Sequence, residues 1–241
     1  MHVERYGRGE KALFVHGSGW NVHMWYAIRD RLESSMEVIL VDLPGHGASF
    51  GEGSNSVQGY SDMVYGIMKD LAMEGCFVVG HSLGGAIAIS LGLVHPDIVK
   101  GIVLIGTGAR LRVLPQILDG IIKDKEATVR STGDFAFSKK ASVELKAKAI
   151  EETMQCSAEV IHKDFTACDK FDVMDSIGSL STPTLIICGT DDVLTPPKYS
   201  RYLNEVIPGS RLVLIEDAGH MVMMEKPIEV SNAIEEFVKG R

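Results

Sequence analysis

Residues 77–86 read Phe-Val-Val-Gly-His-Ser-Leu-Gly-Gly-Ala, and from this segment the type of fold can be predicted. An apolar run typical of a buried strand leads into Gly-x-Ser-x-Gly, and an apolar helical pattern follows at Ala86–Val94. A serine on so tight a turn needs small residues two positions before and after it, because larger side chains would clash there. Gly80 and Gly84 meet that need. The pattern predicts a nucleophilic Ser82 at a helix N-terminus, with an ordinary glycine-rich turn as the alternative.

Other short apolar runs resemble the strand candidate Cys76–Val79 before this turn. Each ends near Gly, Asp or His and is apolar on both faces, which is typical of buried parallel strands. The runs are Ala12–Val15, Val38–Val41, Gly101–Ile105, Thr184–Cys188 and Arg211–Ile215. Helical spacing fills most of the gaps between them and recurs at Pro227–Val238. The sequence therefore predicts an α/β fold with a mostly parallel, doubly wound sheet.

The alternation of strands and helices breaks once, over residues 109–181. Apolar residues recur there at helical spacing over 113–122 and again over 143–154, each set opposed by charged residues. We expect a helical insertion at 109–181 in a core made of residues 1–108 and 182–241. An insertion that leaves and rejoins the sheet in this way should lie above the carboxyl ends of the strands, where open α/β sheets bind ligands. It either covers a pocket as a lid or only adds helical core.

A glycine-bearing turn follows the first apolar run and is a candidate oxyanion site. His16-Gly17-Ser18-Gly19 lets the backbone approach the pocket of Ser82. Acyl transfer generates an oxyanion that two backbone N–H groups stabilise, and those of Ser18 and Leu83 are the expected pair. Taken alone, His-Gly is merely a turn that ends a strand.

An acid and a histidine follow the last two strand candidates. Asp191 and Asp192 end the strand after the insertion, where a carboxylate accepts a bond from the far nitrogen of a histidine and orients it. Acids at strand ends are also common turn formers, so at least one of the two has only that role. His220 follows the last strand beside Gly219 and is the expected general base. The chain order of Ser82, then an acid, then His220 is the order that a catalytic triad has on this type of α/β fold.

Composition excludes several classes of protein. The chain has 241 residues, is 45% hydrophobic and carries a formal net charge of −8, without a Lys/Arg-rich run, so we expect no nucleic-acid partner. It shows neither a signal-peptide pattern nor an apolar run near the about 18 residues of a membrane helix, so we expect a cytoplasmic protein without a membrane span. Its four cysteines lack metal-ligand spacing and are expected to be buried, reduced thiols: Cys76, Cys156, Cys168 and Cys188.

Two further patterns bear on the substrate. Trp20, Met24 and Met221 are candidate pocket residues that suit an acyl or alkyl chain, although plain packing explains them equally well. Between Arg110 and Lys148 there are nine Lys/Arg against five Asp/Glu, opposite in sign to the whole chain. This excess favours an anionic substrate or an acidic acyl carrier protein, unless it is only a solvated helix face.

The chain resembles the α/β-hydrolase superfamily over essentially its whole length. The matching segments are HGSGWNVHMW, VILVDLPGHGAS, FVVGHSLGGAIA, PTLIICGTDDVLTP and DAGHMVMMEKPIEV. In that superfamily the acid ends a Gly-x-x-Asp with proline four residues later. Gly189, Asp192 and Pro196 match, so the resemblance implies Asp192 rather than Asp191. It also implies a helical cap at the insertion.

Among subgroups, the chain is similar to small-acyl carboxylesterases, pimeloyl-acyl-carrier-protein methyl ester esterases and enol-lactonases. Serine at position 82 argues against haloalkane dehalogenases and epoxide hydrolases, which need an aspartate nucleophile. The resemblance implies ester hydrolysis through an acyl-enzyme on Ser82, with His220 as base, Asp192 as orienting acid and no metal or organic cofactor. Carbon–carbon bond hydrolases, lactonases and cofactor-free perhydrolases share this triad and stay open. So does a ligand receptor that keeps a slow triad.

Overall fold

A computed structural model describes residues 1–241 and contains one sheet of seven strands. The strands are β1 (Val3–Tyr6), β2 (Lys11–Val15), β3 (Glu37–Val41), β4 (Cys76–His81), β5 (Val99–Ile105), β6 (Thr184–Gly189) and β7 (Arg211–Ile215). Their order across the sheet is β1-β3-β2-β4-β5-β6-β7. Every neighbouring pair is parallel except β1 with β3. The predicted α/β class and mostly parallel sheet are confirmed.

The sequence did not predict β1, an antiparallel edge strand. Its four residues, Val-Glu-Arg-Tyr, include two charged side chains, so they lack the two-sided apolar pattern of the buried strands. Arg5 of β1 donates from Nε to the Glu37 carboxylate on β3 at 2.9 Å. Charged side chains on an edge strand disfavour pairing with another sheet. β1 therefore ends the sheet on that side.

Helices cover both faces of the sheet. They are α1 (Tyr26–Leu32), α2 (Val57–Asp70), α3 (Leu83–Val94), α4 (Pro115–Lys123), α5 (Lys125–Ala136), α6 (Val143–Gln155), α7 (Ala158–Lys170), α8 (Pro197–Val206), α9 (Val222–Glu225) and α10 (Pro227–Lys239). Leu13 and Val15 of β2 belong to one buried cluster, together with α2 and α3, whereas Ala12 and Phe14 belong to the other, together with α1 and α10. This alternation places a hydrophobic core on each face, as a doubly wound sheet requires.

Four helices, α4–α7, lie between β5 and β6. The apolar periodicities of the sequence located α4 and α6, but α5 and α7 were not predicted individually. In α5 only Val129 is buried, so no apolar stripe marks it. In α7 the apolar stripe is interrupted by a buried acid, Asp164. We call α4–α7 with their connecting residues, 109–181, the helical insertion.

Two further expectations can be compared with the structure. All four cysteines are free and buried, as predicted. None of the helices combines the length and apolarity that crossing a membrane requires.

Candidate active site

Ser82 lies on a strained turn between β4 and α3. Its backbone has φ +53° and ψ −113°, a conformation that L side chains rarely adopt. A Cβ on Gly80 would overlap the backbone of Gly84, and a Cβ on Gly84 would overlap the carbonyl of Val15. The hydroxyl of Thr107 donates a 2.9 Å hydrogen bond to the Ser82 carbonyl and supports the turn. The two glycines predicted from the motif are therefore required by space.

Asp192 and His220 meet at the same edge of the sheet as Ser82. Ser82 follows β4, Asp192 follows β6 and His220 follows β7. These strands are parallel and lie in the order β4-β5-β6-β7, so the residues that follow them come out at one edge of the sheet. Nδ1 of His220 lies 2.9 Å from Oδ2 of Asp192, which is only 2% exposed. Gly106 follows β5, and a Cβ there would come within 3.2 Å of Nδ1 of His220. The missing side chain at Gly106 thus leaves room for the imidazole.

Thr195 completes the surroundings of Asp192. Its hydroxyl donates to Oδ2 at 2.7 Å, while the N–H groups of Leu194 and Thr195 donate to Oδ1 at 2.9 and 2.8 Å. Burial raises the pKa of Asp192, but the charge of His220 and the hydrogen bonds from His220 and Thr195 outweigh burial and lower it overall. Asp192 is therefore a carboxylate at neutral pH. Asp191 is exposed to solvent, so the placement fits the predicted role for Asp192 rather than Asp191.

Ser82 and His220 line the same cavity, which has a volume of about 450 Å³. The Ser82 hydroxyl makes no hydrogen bond to His220 or to any other group, so the bond between them needs a side-chain movement. Asp192 does not line the cavity and lies behind His220. The structure thus brings the three predicted residues to one place and leaves the serine–histidine contact open.

The predicted oxyanion donors flank Ser82. Ser18 lies in the loop after β2 and lines the cavity, and its N–H makes no hydrogen bond within the protein. Leu83 is the first residue of α3, where backbone N–H groups lack a partner inside the helix. A Cβ on Gly17 would lie 3.3 Å from Cβ of Ser82, which places this loop directly against the nucleophile.

Two of the three predicted substrate-binding residues line this cavity. Trp20 and Met221 are buried and contribute to its wall. Met24 is a correction, because it lines a separate groove of about 310 Å³ between α1 and α6. It lies in the one-turn helix Val22–Trp25 and is buried in the same hydrophobic cluster as Trp20 and Met221. A helix of one turn has no periodicity from which the sequence could predict which of the two cavities Met24 lines.

Two histidines near the turns, His16 and His81, bond backbone groups and do not contact Asp192. Nδ1 of His16 bonds the Gly17 carbonyl at 2.8 Å and Nε2 accepts the Leu43 N–H at 2.9 Å. Burial, with the charge of His46 next, lowers the pKa of His16 well below its usual value. Nε2 of His81 lies 3.1 Å from the His220 carbonyl, so His81 supports the loop that carries the base.

Sequence reasoning missed a buried polar cluster beside the cavity. Asp164 of α7 is fully buried, and its carboxylate accepts from the Gly19 N–H at 2.8 Å, from Nε2 of His46 at 2.8 Å and from the hydroxyl of Tyr60. A signal for it exists in the sequence, since an acid lies inside an apolar stripe at helical spacing: Val160, Ile161, Ala167 and Cys168. Its partners come from three distant segments, so no local pattern identifies them.

Charge around the cavity is sparse. Arg112 is the one Lys, Arg, Asp or Glu residue in its lining, and its guanidinium donates to the Asp169 carbonyl at 2.6 Å. Most other lining residues are apolar. The described chain contains no cluster of three or more His, Cys, Asp or Glu side chains arranged to hold a metal ion.

Comparison with known proteins identifies the family. A model described as "Alpha/beta hydrolase family" matches residues 12–233. The chain belongs to the alpha/beta hydrolase family. This membership confirms the resemblance predicted from the motifs.

The similarity of this alpha/beta hydrolase to named relatives covers almost the whole chain. A pimeloyl-[acyl-carrier protein] methyl ester esterase from Aeromonas hydrophila is 28% identical over 261 residues, covering 99% of this chain and 99% of the relative. A solved thermophilic esterase is 38% identical, has a TM-score of 0.86 and covers 99% of this chain and 98% of that chain. The enol-lactonase from Burkholderia xenovorans LB400 has a TM-score of 0.93 at 21% identity, covering 99% and 96% of the two chains. The last of these shows the shared fold alone.

Proposed function

We propose that this alpha/beta hydrolase cleaves carboxylic esters of small to medium acyl or alkyl chain through an acyl-enzyme intermediate. The observation that carries the proposal is one apolar cavity lined by Ser82 and His220, with Asp192 bonded to the far side of His220. The names of its relatives, esterases above all, confirm the prediction of an ester-hydrolysing enzyme of this family. The residue roles below are our proposal.

The arrangement supports a two-step acyl transfer. Ser82 Oγ attacks the ester carbonyl carbon while Nε2 of His220 takes its proton, and Asp192 stabilises the imidazolium through Nδ1. The negative charge on the former carbonyl oxygen is stabilised by the N–H groups of Ser18 and Leu83. The alcohol leaves with the proton from His220. Water, deprotonated by His220, then releases the acid and restores Ser82.

The cavity wall supports an apolar acyl or alkyl group. Trp20 and Met221 come from the core, and the helical insertion contributes Ile117, Ile150 and Phe165. We propose that the insertion, 109–181, is a cap that completes the pocket rather than only additional core. Burying a methylene contributes about 0.8 kcal/mol, so kcat/KM should rise about four-fold per added methylene until the chain fills the cavity.

Hydrolysis of p-nitrophenyl esters of graded acyl length tests the proposal. We expect many turnovers per molecule and a fall in kcat of about 10⁴- to 10⁶-fold in Ser82→Ala. Ser18→Ala is the matched control, because it removes a neighbouring hydroxyl in the same cavity but keeps the backbone N–H. We expect it to keep its kcat.

Undiminished hydrolysis in Ser82→Ala would overturn the nucleophile. Tight ligand binding with almost no turnover in the unaltered protein would favour the receptor alternative. Rapid opening of lactones, cleavage of carbon–carbon bonds or peracid formation, with slow ester cleavage, would assign the same triad to one of the other reactions.

A second candidate narrows the substrate to a methyl ester carried by an acyl carrier protein. The Aeromonas relative has this activity in its name. In the insertion, most of the basic side chains are paired; for example, Lys123 binds Asp119 at 3.2 Å. Lys139, Lys146 and Lys148 form no ion pair and remain available to an acidic partner. They support a carrier-docking face on the insertion.

A further inference from the structure

We propose that Asp164 of α7 is a positioning residue for the oxyanion site, so that the insertion takes part in catalysis as well as enclosing the cavity. The inference rests on the proposed function, in which the Ser18 N–H stabilises the oxyanion. Ser18 lies between Gly17, which packs against Ser82, and Gly19, which Asp164 binds. Only the φ and ψ angles of Ser18 separate its own N–H from the Gly19 N–H, so holding Gly19 restricts the direction of the Ser18 N–H.

Gly19 is bonded to the insertion and packed closely against it. Its N–H donates to Oδ2 of Asp164 at 2.8 Å. Its φ of +69° is in the left-handed region, and a Cβ there would lie 3.2 Å from Ile161 and 3.3 Å from Thr153, on α7 and α6. The close packing and the hydrogen bond to Asp164 together restrict the conformation of the loop between β2 and α1 at Gly19.

A second contact joins the same two elements one helical turn later. Cys168 follows Asp164 by four residues and so lies on the same face of α7. Its Sγ is 3.7 Å from Oγ of Ser18. Cys168 and Asp164 thus contact the neighbouring residues Ser18 and Gly19 in the loop after β2. Both contacts exist only while α7 is packed on the core.

The carboxylate of Asp164 is itself rigidly held. His46, after β3, and Tyr60, on α2, both donate to it, and all three side chains are buried. A buried charge with each oxygen bonded has little freedom to move, because losing a partner would leave an unpaired charge. The core therefore fixes Asp164, and Asp164 fixes Gly19.

The test separates positioning from stability by using a transition-state analogue. In an aryl trifluoromethyl ketone, Ser82 Oγ adds to the carbonyl carbon, its proton passes to His220, and the former carbonyl oxygen becomes an anion at the oxyanion site. The matching methyl ketone binds mainly without forming this adduct. The ratio of the two affinities therefore measures the oxyanion site and does not require turnover.

In Asp164→Leu, which has a similar shape but no acceptor, we expect kcat to fall about 10- to 100-fold with KM little changed. The trifluoromethyl ketone should lose affinity by the same factor, and the methyl ketone should not. Asp164→Asn keeps a carbonyl oxygen for the Gly19 N–H and should retain most of kcat. If Asp164→Leu does not fold, Asp164→Glu carries the test, since its displaced carboxylate should give the same selective loss.

Asp42→Leu is the matched control. Asp42 is a buried carboxylate that accepts from the Val22 N–H at 2.8 Å, so it anchors the far end of the same connection between β2 and α1. We expect it to lower the melting temperature without changing the ratio of ketone affinities. Unchanged kcat and an unchanged ratio in the Asp164 variants would overturn the inference, as would an equal change in ratio in Asp42→Leu. An unaltered protein that turns over no ester would count against the proposed function instead, and the ketone ratio would still decide the role of Asp164.

Discussion

The imidazole of His46 is buried between two acceptors. Nε2 lies 2.8 Å from Oδ2 of Asp164 and Nδ1 lies 3.2 Å from the Pro44 carbonyl, so both nitrogens donate and the ring is an imidazolium. Burial disfavours the charged ring, but the charge of Asp164 and its hydrogen bond outweigh burial and raise the pKa of His46 to about 10. The folded protein therefore holds a proton that the unfolded chain releases near its ordinary value of about 6.5.

This difference predicts that stability falls as pH rises above neutrality. A raised pKa contributes stability that is complete below about pH 6.5 and is lost as pH approaches 10. We expect the free energy of unfolding in urea to fall on the order of 2 kcal/mol between pH 7 and pH 8.5. His46→Gln should lack this slope. His162→Gln, at a partly exposed histidine of the same helix as Asp164, should keep it.

Other buried titratable groups, His16, His81 and the thiols, change the stability mainly outside the range from pH 7 to pH 8.5. Burial lowers the pKa of His16 and His81 well below the usual value. These two histidines therefore change the stability only as the pH falls below about 7, where the unfolded chain takes up protons that the folded chain does not. Burial raises the pKa of the Cys76 and Cys188 thiols to about 12, so their effect begins only near the usual thiol value of about 9. Stability that does not change from pH 7 to 8.5 would contradict the charged His46.

At the scale of the element, α3 approaches the end of β2 without an intervening side chain. The α carbon of Gly84 faces the carbonyls of Val15 and His16, so a Cβ there has no space. The helix begins at Leu83, and its close approach sets where Ser82 emerges from the sheet. Gly66 in α2 differs, because nothing lies within 4 Å of the position of its Cβ.

These two helical glycines predict opposite effects of the same substitution. Gly84→Ala should lower the free energy of unfolding by about 1–3 kcal/mol and reduce ester hydrolysis, because the helix must shift away from β2. Gly66→Ala should raise stability by about 0.5–1 kcal/mol and leave hydrolysis unchanged, because alanine favours the helix. Thermal unfolding and p-nitrophenyl ester assays of both variants measure this contrast. Equal stability of the two would refute the close approach of α3 and β2.

At the scale of the whole molecule, charge is unevenly distributed. The chain carries a net −8, yet the insertion presents lysines without an ion pair, among them Lys139, Lys146 and Lys148. Since an acidic carrier protein is repelled by the bulk of this surface, a docking face on the insertion would orient it toward the cavity. The cytoplasmic location stays a prediction.

Charge reversal tests the carrier-docking proposal. Residues two apart on a helix point to different sides, so Lys139→Glu, Lys146→Glu and Lys148→Glu are made singly. A lysine that contacts the carrier should raise KM for a carrier-bound methyl ester roughly five-fold at low salt when reversed, with little change for p-nitrophenyl butyrate. Lys123→Glu is the control, because Lys123 is already paired with Asp119. An unchanged KM for the carrier-bound ester would remove this face as the docking site and leave the esterase itself intact.

The sheet class, the strained turn at Ser82 and the acid and histidine after β6 and β7 could all be predicted from the amino-acid order. These features depend on local rules: an apolar run of strand length, glycines where a Cβ would clash, and short turns after parallel strands. The carboxyl ends of neighbouring parallel strands share one edge, so local motifs were enough to bring Asp192 and His220 together.

The cavity that Met24 lines, the edge strand β1 and the bond from Gly19 to Asp164, 145 positions apart, became visible only in the folded chain. Each depends on contacts between segments that are distant in the sequence, and these contacts leave no local spacing pattern. Asp164 is a buried acid within the apolar stripe of α7, where the helical pattern predicts an apolar residue. Its partners Gly19, His46 and Tyr60 come from segments that no spacing rule connects.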